Sequence, residues 1–161
     1  MVPRFSLLYT SVRPTCVWNR CYTWSNLAAK PENTEIVVCT DAGDAASSTA
    51  AKFAATDLLR VKVNTVTQPN LPGNCVKGWN TAAEHSTGDV LITISDDFTP
   101  PPNWDLQLEN LRCGCSLASP WWEHDHAVHV DNAFVYHIMT IAIITRPRYS
   151  RYGYVYYPRY E

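Results

Sequence analysis

Two adjacent carboxylates, Asp96 and Asp97, end the stretch DVLITISDD, directly after the most hydrophobic strand-like segment of the chain. Ionised carboxylates repel each other and are costly to bury, so such a pair persists where a cation or hydrogen-bond donors compensate its charge. A Mg²⁺ or Mn²⁺ ion takes one or two carboxylates together with substrate phosphate oxygens, and a diphosphate held in that way becomes a leaving group. Taken alone, the pair is equally typical of an Asp-Asp turn before Pro100.

Polar side chains also follow other segments that are typical of buried strands. Thr10, Ser11 and Arg13 come at the end of FSLLYTS or just after it, and Asp41 ends TEIVVCTD. In sheets of parallel strands, ligands bind at the carboxyl ends, where the strand order switches. We therefore expect these strand ends and the Asp96–Asp97 pair to border one crevice.

The elements that must position these residues alternate along the chain. The predicted strands are FSLLYTS, TEIVVCTD, LRVKVNTV, DVLITIS, HAVHV and TIAIITR, and the predicted helices are TCVWNRCYTWSNLAAK, DAASSTAAKFAATDLL, PGNCVKGWNTAAEHSTG (ending at Gly88), PNWDLQLENLR and RPRYSRYG. This alternation predicts an α/β fold. Apolar β-branched runs without strict alternation predict strands that helices cover on both faces.

Bulk composition excludes several classes of protein. The 161 residues suit one domain, and 46% hydrophobic against 17% charged residues is typical of a globular chain. A net charge of −2 gives no strong signal for nucleic-acid binding. We expect no secretory signal in the N-terminal stretch, and the apolar run IMTIAIIT is too short to span a bilayer. The six scattered cysteines favour reduced thiols and a cytoplasmic location.

The block PGNCVKGWNTAAEHSTGDVLITISDD, together with SLLYTSVRP and EIVVCTD, resembles the family 2 glycosyltransferases with the GT-A fold, over about Phe5 to Tyr160. The resemblance implies a Rossmann-like three-layer sandwich with a mostly parallel central sheet. It implies a single domain over 1–161, in which 1–98 bind a nucleotide sugar and 99–161 form an acceptor-side half, and it leaves open whether that half is complete. The implied reaction is a metal-dependent, inverting transfer from a nucleotide-diphosphate sugar, with a UDP-sugar favoured, to a hydroxyl acceptor.

The resemblance also implies roles for single residues, although the acidic motif is Ser95-Asp96-Asp97 and not a strict Asp-x-Asp. Asp97 would bind Mn²⁺ or Mg²⁺, and Asp96 would contact the ribose or the metal. The remaining implied contacts are Asp41 to the base or ribose, Thr10, Ser11 and Arg13 along the nucleotide, Lys77 to the base or phosphates, Asn80 in the same nucleotide-sugar site, and His137 as a further metal or phosphate ligand. For Lys77 and Asn80, a solvated or packing role is the alternative.

Inverting transfer also needs a carboxylate that accepts the proton of the acceptor hydroxyl. In the family an acidic motif would follow shortly after the position of Glu161, the last residue of this sequence. Asp125, Asp131 and Glu161 are the candidate bases, with Glu123 also available. The alternatives are a non-catalytic nucleotide-sugar-binding subunit or a truncated member without its base. A nucleotidyltransferase is less favoured, because YTSVRPTC carries no glycine-rich loop.

Two further patterns stay open. Cys113, Cys115, His124, His126 and His129 are close in sequence and could bind zinc, but a Cys-x-Cys spacing matches the usual zinc motifs poorly. The Tyr- and Arg-rich end of the chain is compatible with a contact surface in a homodimer, because both residue types are enriched at interfaces.

Overall fold

Strands and helices alternate along most of the chain. The computed structural model describes residues 2–68, 74–112, 119–130 and 141–158. The strands are β1 (Phe5–Thr10), β2 (Thr34–Asp41), β3 (Lys62–Gln68), β4 (Val90–Ile94), β5 (Ala127–Val128) and β6 (Ile143–Thr145). The α-helices are α1 (Pro14–Leu27), α2 (Ala45–Asp57), α3 (Cys75–Glu84), α4 (Trp104–Glu109) and α5 (Arg146–Tyr152), and the segments Pro31–Asn33 and Trp121–Glu123 form 3₁₀ turns.

The strands form one sheet in the order β3-β2-β1-β4-β6-β5. The four strands β3, β2, β1 and β4 are parallel, and β6 and β5 continue the sheet in antiparallel pairings. The chain moves outward from β1 to β3 and then crosses back to place β4 on the other side of β1. The strand order therefore switches between β1 and β4, which is where α/β sheets open a ligand crevice.

Side chains of the central strands alternate between two apolar layers. In β1, Leu7 and Tyr9 face a core that includes Val17 of α1 and residues of α2, whereas Leu8 faces Ala82 of α3. All five residues are fully buried. The period-two alternation of a strand thus feeds a helix layer on each face. The predicted three-layer α/β fold with a mostly parallel central sheet is confirmed.

Several element boundaries differ from the sequence prediction, and two of them bear on the strand ends and on Gly88. Strand β3 ends at Gln68, two residues beyond the predicted end at Val66. Helix α3 ends at Glu84 with His85 as its C-cap, well before Gly88. Gly88 instead lies against the start of β1, where an added Cβ would be 2.5 Å from Ser6 Oγ. Its lack of a side chain permits that close approach, and it does not end the helix.

The described cysteines Cys16, Cys21, Cys39 and Cys75 are free thiols, and Cys113 and Cys115 lie outside the described residues. Burial raises the pKa of the Cys21 and Cys39 thiols to about 12, so both stay protonated at neutral pH. Across the described ranges, no helix has the length and hydrophobicity needed to cross a membrane.

Candidate functional site

The carboxyl ends of β1, β2, β3 and β4 border an open crevice of about 460 Å³. This volume lies in the usual range for small-ligand sites. The crevice is lined by six residues that the sequence singled out, namely Thr10, Ser11, Arg13, Asp41, Asp96 and Asp97. It is also lined by Gln68, Asn74 and Trp79. The strand-order switch therefore brings together the polar strand ends, as the α/β topology requires.

Asp96 is held by hydrogen bonds on both carboxylate oxygens. The Tyr9 hydroxyl donates to Oδ1 over 2.5 Å, and the Ser11 hydroxyl donates to Oδ2 over 3.0 Å. Burial, and then the hydrogen bond to Asp96, raise the pKa of Tyr9 well above its usual range, so the phenol keeps its proton and stays a donor. Arg13 Nε lies 3.9 Å from Oδ2, and the Arg13 side chain is 69% exposed. Asp96 is thus fixed in orientation, and the largely exposed Arg13 side chain lines the crevice beside it.

Asp97 differs from its neighbour, because its side chain is exposed to the crevice. The Ser95 hydroxyl donates a short hydrogen bond to Asp97 Oδ1. This bond, with the positive charges of Arg20 and Arg13, holds the pKa of the Asp97 carboxyl below its usual range. Asp97 therefore presents an ionised carboxylate, the kind of hard oxygen ligand that Mg²⁺ and Mn²⁺ accept.

The residues present fit a divalent cation whose other ligands would be phosphate oxygens of a bound substrate. In the part of the chain that the structure describes, no three His, Cys, Asp or Glu side chains are close enough together to hold a metal alone. A cation bound by one carboxylate and by phosphate oxygens needs no such cluster. Asp97 suits that role better than Asp96, whose oxygens already accept two protein hydrogen bonds. The predicted ligand His137 lies outside the described residues.

Asp41 is positioned by a residue that the sequence analysis missed. Gln68 pairs with Asp41 in the register of β2 and β3, and its Nε2 donates a short hydrogen bond to Asp41 Oδ1. Gln68 is 1% exposed, and within the described structure its Oε1 accepts no hydrogen bond. If the strand prediction had been extended from Val66 to residue 68, Gln68 would have been placed at the carboxyl end of β3, beside the crevice.

The two predicted residues of α3 do not line the crevice. The backbone N–H of Lys77 donates to the capping side chain of Asn74 over 2.8 Å. The carboxamide of Asn80 donates to the Tyr156 carbonyl over 2.8 Å and accepts from the Val155 N–H over 2.8 Å. Asn80 therefore joins α3 to the C-terminal segment, and the packing alternative describes it better than a ligand contact does. Trp79, on the same helix, does line the crevice, and its indole N–H donates to the Ile94 carbonyl over 3.0 Å.

The candidate bases are not brought to the crevice in the described part of the chain. Asp125 accepts hydrogen bonds from Arg148 over 3.0 Å and from Arg151 over 2.9 Å. The Arg151 hydrogen bond, together with Arg148, holds the pKa of Asp125 below its usual range, which makes this carboxylate a weak proton acceptor. Asp131 and Glu161 lie outside the described residues.

The zinc hypothesis concerned Cys113, Cys115 and the histidines near Trp121–Glu123, and the two cysteines lie outside the described residues. The rings of His124 and His126 are 6.0 Å apart between centroids. His124 Nε2 lies 2.7 Å from the Ser119 hydroxyl. Among the described residues here, no three His, Cys, Asp or Glu side chains lie close enough together to hold a metal ion.

Comparison with known proteins identifies the family. The model of Glycosyl transferase family 2 matches residues 21–111, which is more than half of the chain. The chain therefore belongs to the family 2 glycosyltransferases. No curated protein sequence matches it.

Solved structures share its GT-A fold. The mannosyltransferase PcManGT from Pyrobaculum calidifontis, in complex with GDP-Man and Mn²⁺, superposes with a TM-score of 0.56 at 18% identity, covering 64% of this chain and 30% of that one. TarS of S. aureus, in complex with UDP-GlcNAc, superposes with a TM-score of 0.52 at 13% identity, covering 65% and 29%. The chain thus spans under a third of the length of these structures.

Proposed function

We propose that this chain binds a nucleotide-diphosphate sugar in the crevice between β1 and β4 and transfers the sugar to a hydroxyl acceptor. The observation that carries the proposal is the acidic pair at the strand-order switch, in which Asp96 is fixed by Tyr9 and Ser11 while Asp97 is exposed and ionised. Family membership supports the reaction class. GDP-Man and UDP-GlcNAc, bound in two structures of the same fold, support the donor class.

In this proposal, the nucleotide lies along the ends of β1 and β2. Asp41, oriented by Gln68, contacts the base or ribose, and Asp96 contacts a ribose hydroxyl. The exposed guanidinium of Arg13 turns to the diphosphate. Thr10 and Ser11 line the nucleotide between these ends. A UDP-sugar remains the favoured donor. Lys77 lies about one helical turn from Asn74, which lines the crevice. Its predicted contact with the base or phosphates requires its side chain to extend into the crevice.

Asp97 is the residue that would hold Mn²⁺ or Mg²⁺. When bound there, the cation would neutralise the negative charge that develops on the leaving diphosphate. The remaining contribution of the chain is positioning and electrostatic stabilisation, because sugar transfer from a good leaving group asks little covalent chemistry of the protein. Mn²⁺ in the structure of PcManGT supports this cation.

Inverting transfer needs a base, and Asp131 and Glu161 remain the proposed acceptors of the hydroxyl proton. The ion pairs of Asp125 with Arg148 and Arg151 argue against that residue. The second candidate function is a nucleotide-sugar-binding subunit without turnover, and the engagement of Asp125 in these ion pairs favours it by removing one candidate base. The division into a nucleotide-binding half over 1–98 and an acceptor-side half over 99–161 belongs to the same proposal.

We also propose a cytoplasmic location. The free thiols of the four described cysteines support a reducing compartment.

Calorimetric titration with UDP, GDP, CDP and dTDP, each in Mn²⁺ or in EDTA, tests the proposal. The wild type should bind one nucleotide more tightly in Mn²⁺, and Asp97→Asn should lose that difference because an amide cannot supply the negative charge. Asp57→Asn is the matched control, since Asp57 contacts Trp18 at the surface of α1 and α2. Absence of nucleotide binding in both conditions would contradict the proposal. Donor hydrolysis and transfer assays then separate an enzyme from a binding subunit.

A further inference from the structure

The turn that carries the acidic pair is fastened to helix α1 by one guanidinium. Arg20 Nη1 donates to the Phe98 carbonyl over 2.7 Å and to the Thr99 hydroxyl over 3.0 Å. Arg20 Nη2 donates a short hydrogen bond to the Asp96 carbonyl. The backbone bond within the turn, from the Phe98 N–H to the Ser95 carbonyl, is long at 3.4 Å. Arg20 therefore supplies the stronger ties that hold this turn.

Arg20 lies on a rigid part of α1. Its neighbours Val17, Cys21 and Trp24 are buried in the core between α1 and the sheet, so the helix backbone is fixed relative to β1 and β4. Three acceptors, on Asp96, Phe98 and Thr99, suit the planar fork of an arginine. A lysine ammonium has the same charge but donates from a single atom, and it cannot reproduce that pattern.

We propose that Arg20 is a positioning residue that holds the Asp96–Phe98 turn so that the Asp97 carboxylate faces the crevice, and that the metal-dependent part of nucleotide binding depends on it. This inference rests on the proposed function. Two opposing effects must be separated. The three hydrogen bonds of the Arg20 guanidinium favour binding of the metal ion by fixing Asp97. The positive charge of Arg20 near Asp97 disfavours it, because it repels the metal ion.

The test measures the ratio of the nucleotide dissociation constant in EDTA to that in Mn²⁺, for wild type, Arg20→Lys and Arg20→Gln. Lysine keeps the charge and loses the fork, and glutamine loses both. We expect the ratio to fall about tenfold in Arg20→Lys, which corresponds to the loss of one or two charged hydrogen bonds that fix the turn. The fall should be smaller in Arg20→Gln, because the loss of the positive charge offsets part of it. Affinity in EDTA should change less, because Asp41 is not tied to Arg20 and the Asp96 carboxylate is also held by Tyr9 and Ser11.

Arg60→Lys is the matched control, because Arg60 is exposed at the opposite end of the strands, and it should leave the ratio unchanged. Thr99→Val removes one acceptor and keeps the guanidinium, so a smaller fall of about threefold is expected. This variant also carries the test if the Arg20 variants fold poorly in thermal melts.

Three results have distinct meanings. An unchanged ratio in Arg20→Lys and Thr99→Val overturns the inference. A ratio that rises in Arg20→Gln and stays constant in Arg20→Lys also overturns it, because Arg20 would then act only as a nearby charge. If the wild type itself shows no effect of Mn²⁺, the proposed function fails before Arg20 is tested.

Discussion

Gly78 lies where α3 crosses the carboxyl end of β1, and replacing it with alanine separates packing from helix propensity. A Cβ at residue 78 would clash with Thr10 Oγ1 and would lie 2.8 Å from Thr10 Cβ. Rotation of the Thr10 side chain moves Oγ1 but not Cβ, so α3 must shift away from the strand. Overpacking costs about 1–3 kcal/mol, and the rigid Cβ contact places this site in the upper part of that range. Alanine recovers about 1 kcal/mol of helix propensity.

Gly78→Ala should therefore lower the free energy of unfolding by about 1–2 kcal/mol. Urea denaturation measures this change as a lower midpoint with an unchanged m-value. Thr10→Ala provides the control, because it removes the closest atom, and the cost of Gly78→Ala should shrink by about 0.5–1 kcal/mol in that background. Stabilisation by about 1 kcal/mol, which helix propensity alone demands, would refute the described contact between α3 and β1.

Two further predictions concern buried polar groups. Burial raises the pKa of the Glu35 carboxyl, but hydrogen bonds from Thr87 and Ser6 outweigh burial and hold the pKa below its usual range. Glu35 therefore stabilises the fold above its unfolded pKa of about 4.3, and this contribution is lost as the pH falls through the folded pKa. Glu35→Gln should cost about 1–3 kcal/mol at neutral pH and flatten the acid limb of a stability–pH curve measured by denaturation; an unchanged limb would contradict this. Gln68→Glu places a second carboxyl against Asp41 in a buried position, which raises the pKa of the new group. The variant should lose at least about 2 kcal/mol at neutral pH and regain stability towards pH 4, and equal losses at both pH values would contradict the described pair.

Much of the fold follows from local sequence patterns. TEIVVCTD predicted β2 with both ends as observed, because six of its eight residues are apolar or β-branched and the last one is the strand-terminal acid. The convergence of strand ends at one crevice follows from parallel topology, and six of the predicted residues do line that crevice. Their contacts with a ligand remain predictions.

The parts that local patterns missed depend on distant partners. Arg20 is 76 positions from Asp96, so nothing in the helix periodicity of α1 indicates that its guanidinium holds the acidic turn. Tyr9 lies in a strand that predicts only core packing, yet its hydroxyl reaches the strand end and donates to Asp96. Asn80 was grouped with Lys77 by resemblance. In the structure, both the nitrogen and the oxygen of its carboxamide form hydrogen bonds with the C-terminal segment that packs on α3.

The positions of the bound metal and nucleotide test the proposed site most directly. Crystals grown with Mn²⁺ and the tightest-binding nucleoside diphosphate locate both, because the anomalous signal of manganese marks the ion independently of the protein atoms. We expect the manganese peak within coordination distance of an Asp97 carboxylate oxygen, with the diphosphate beside it and the base towards Asp41. A manganese peak and nucleotide density at the opposite end of the sheet, near Glu35 and Lys62, would contradict the central claim.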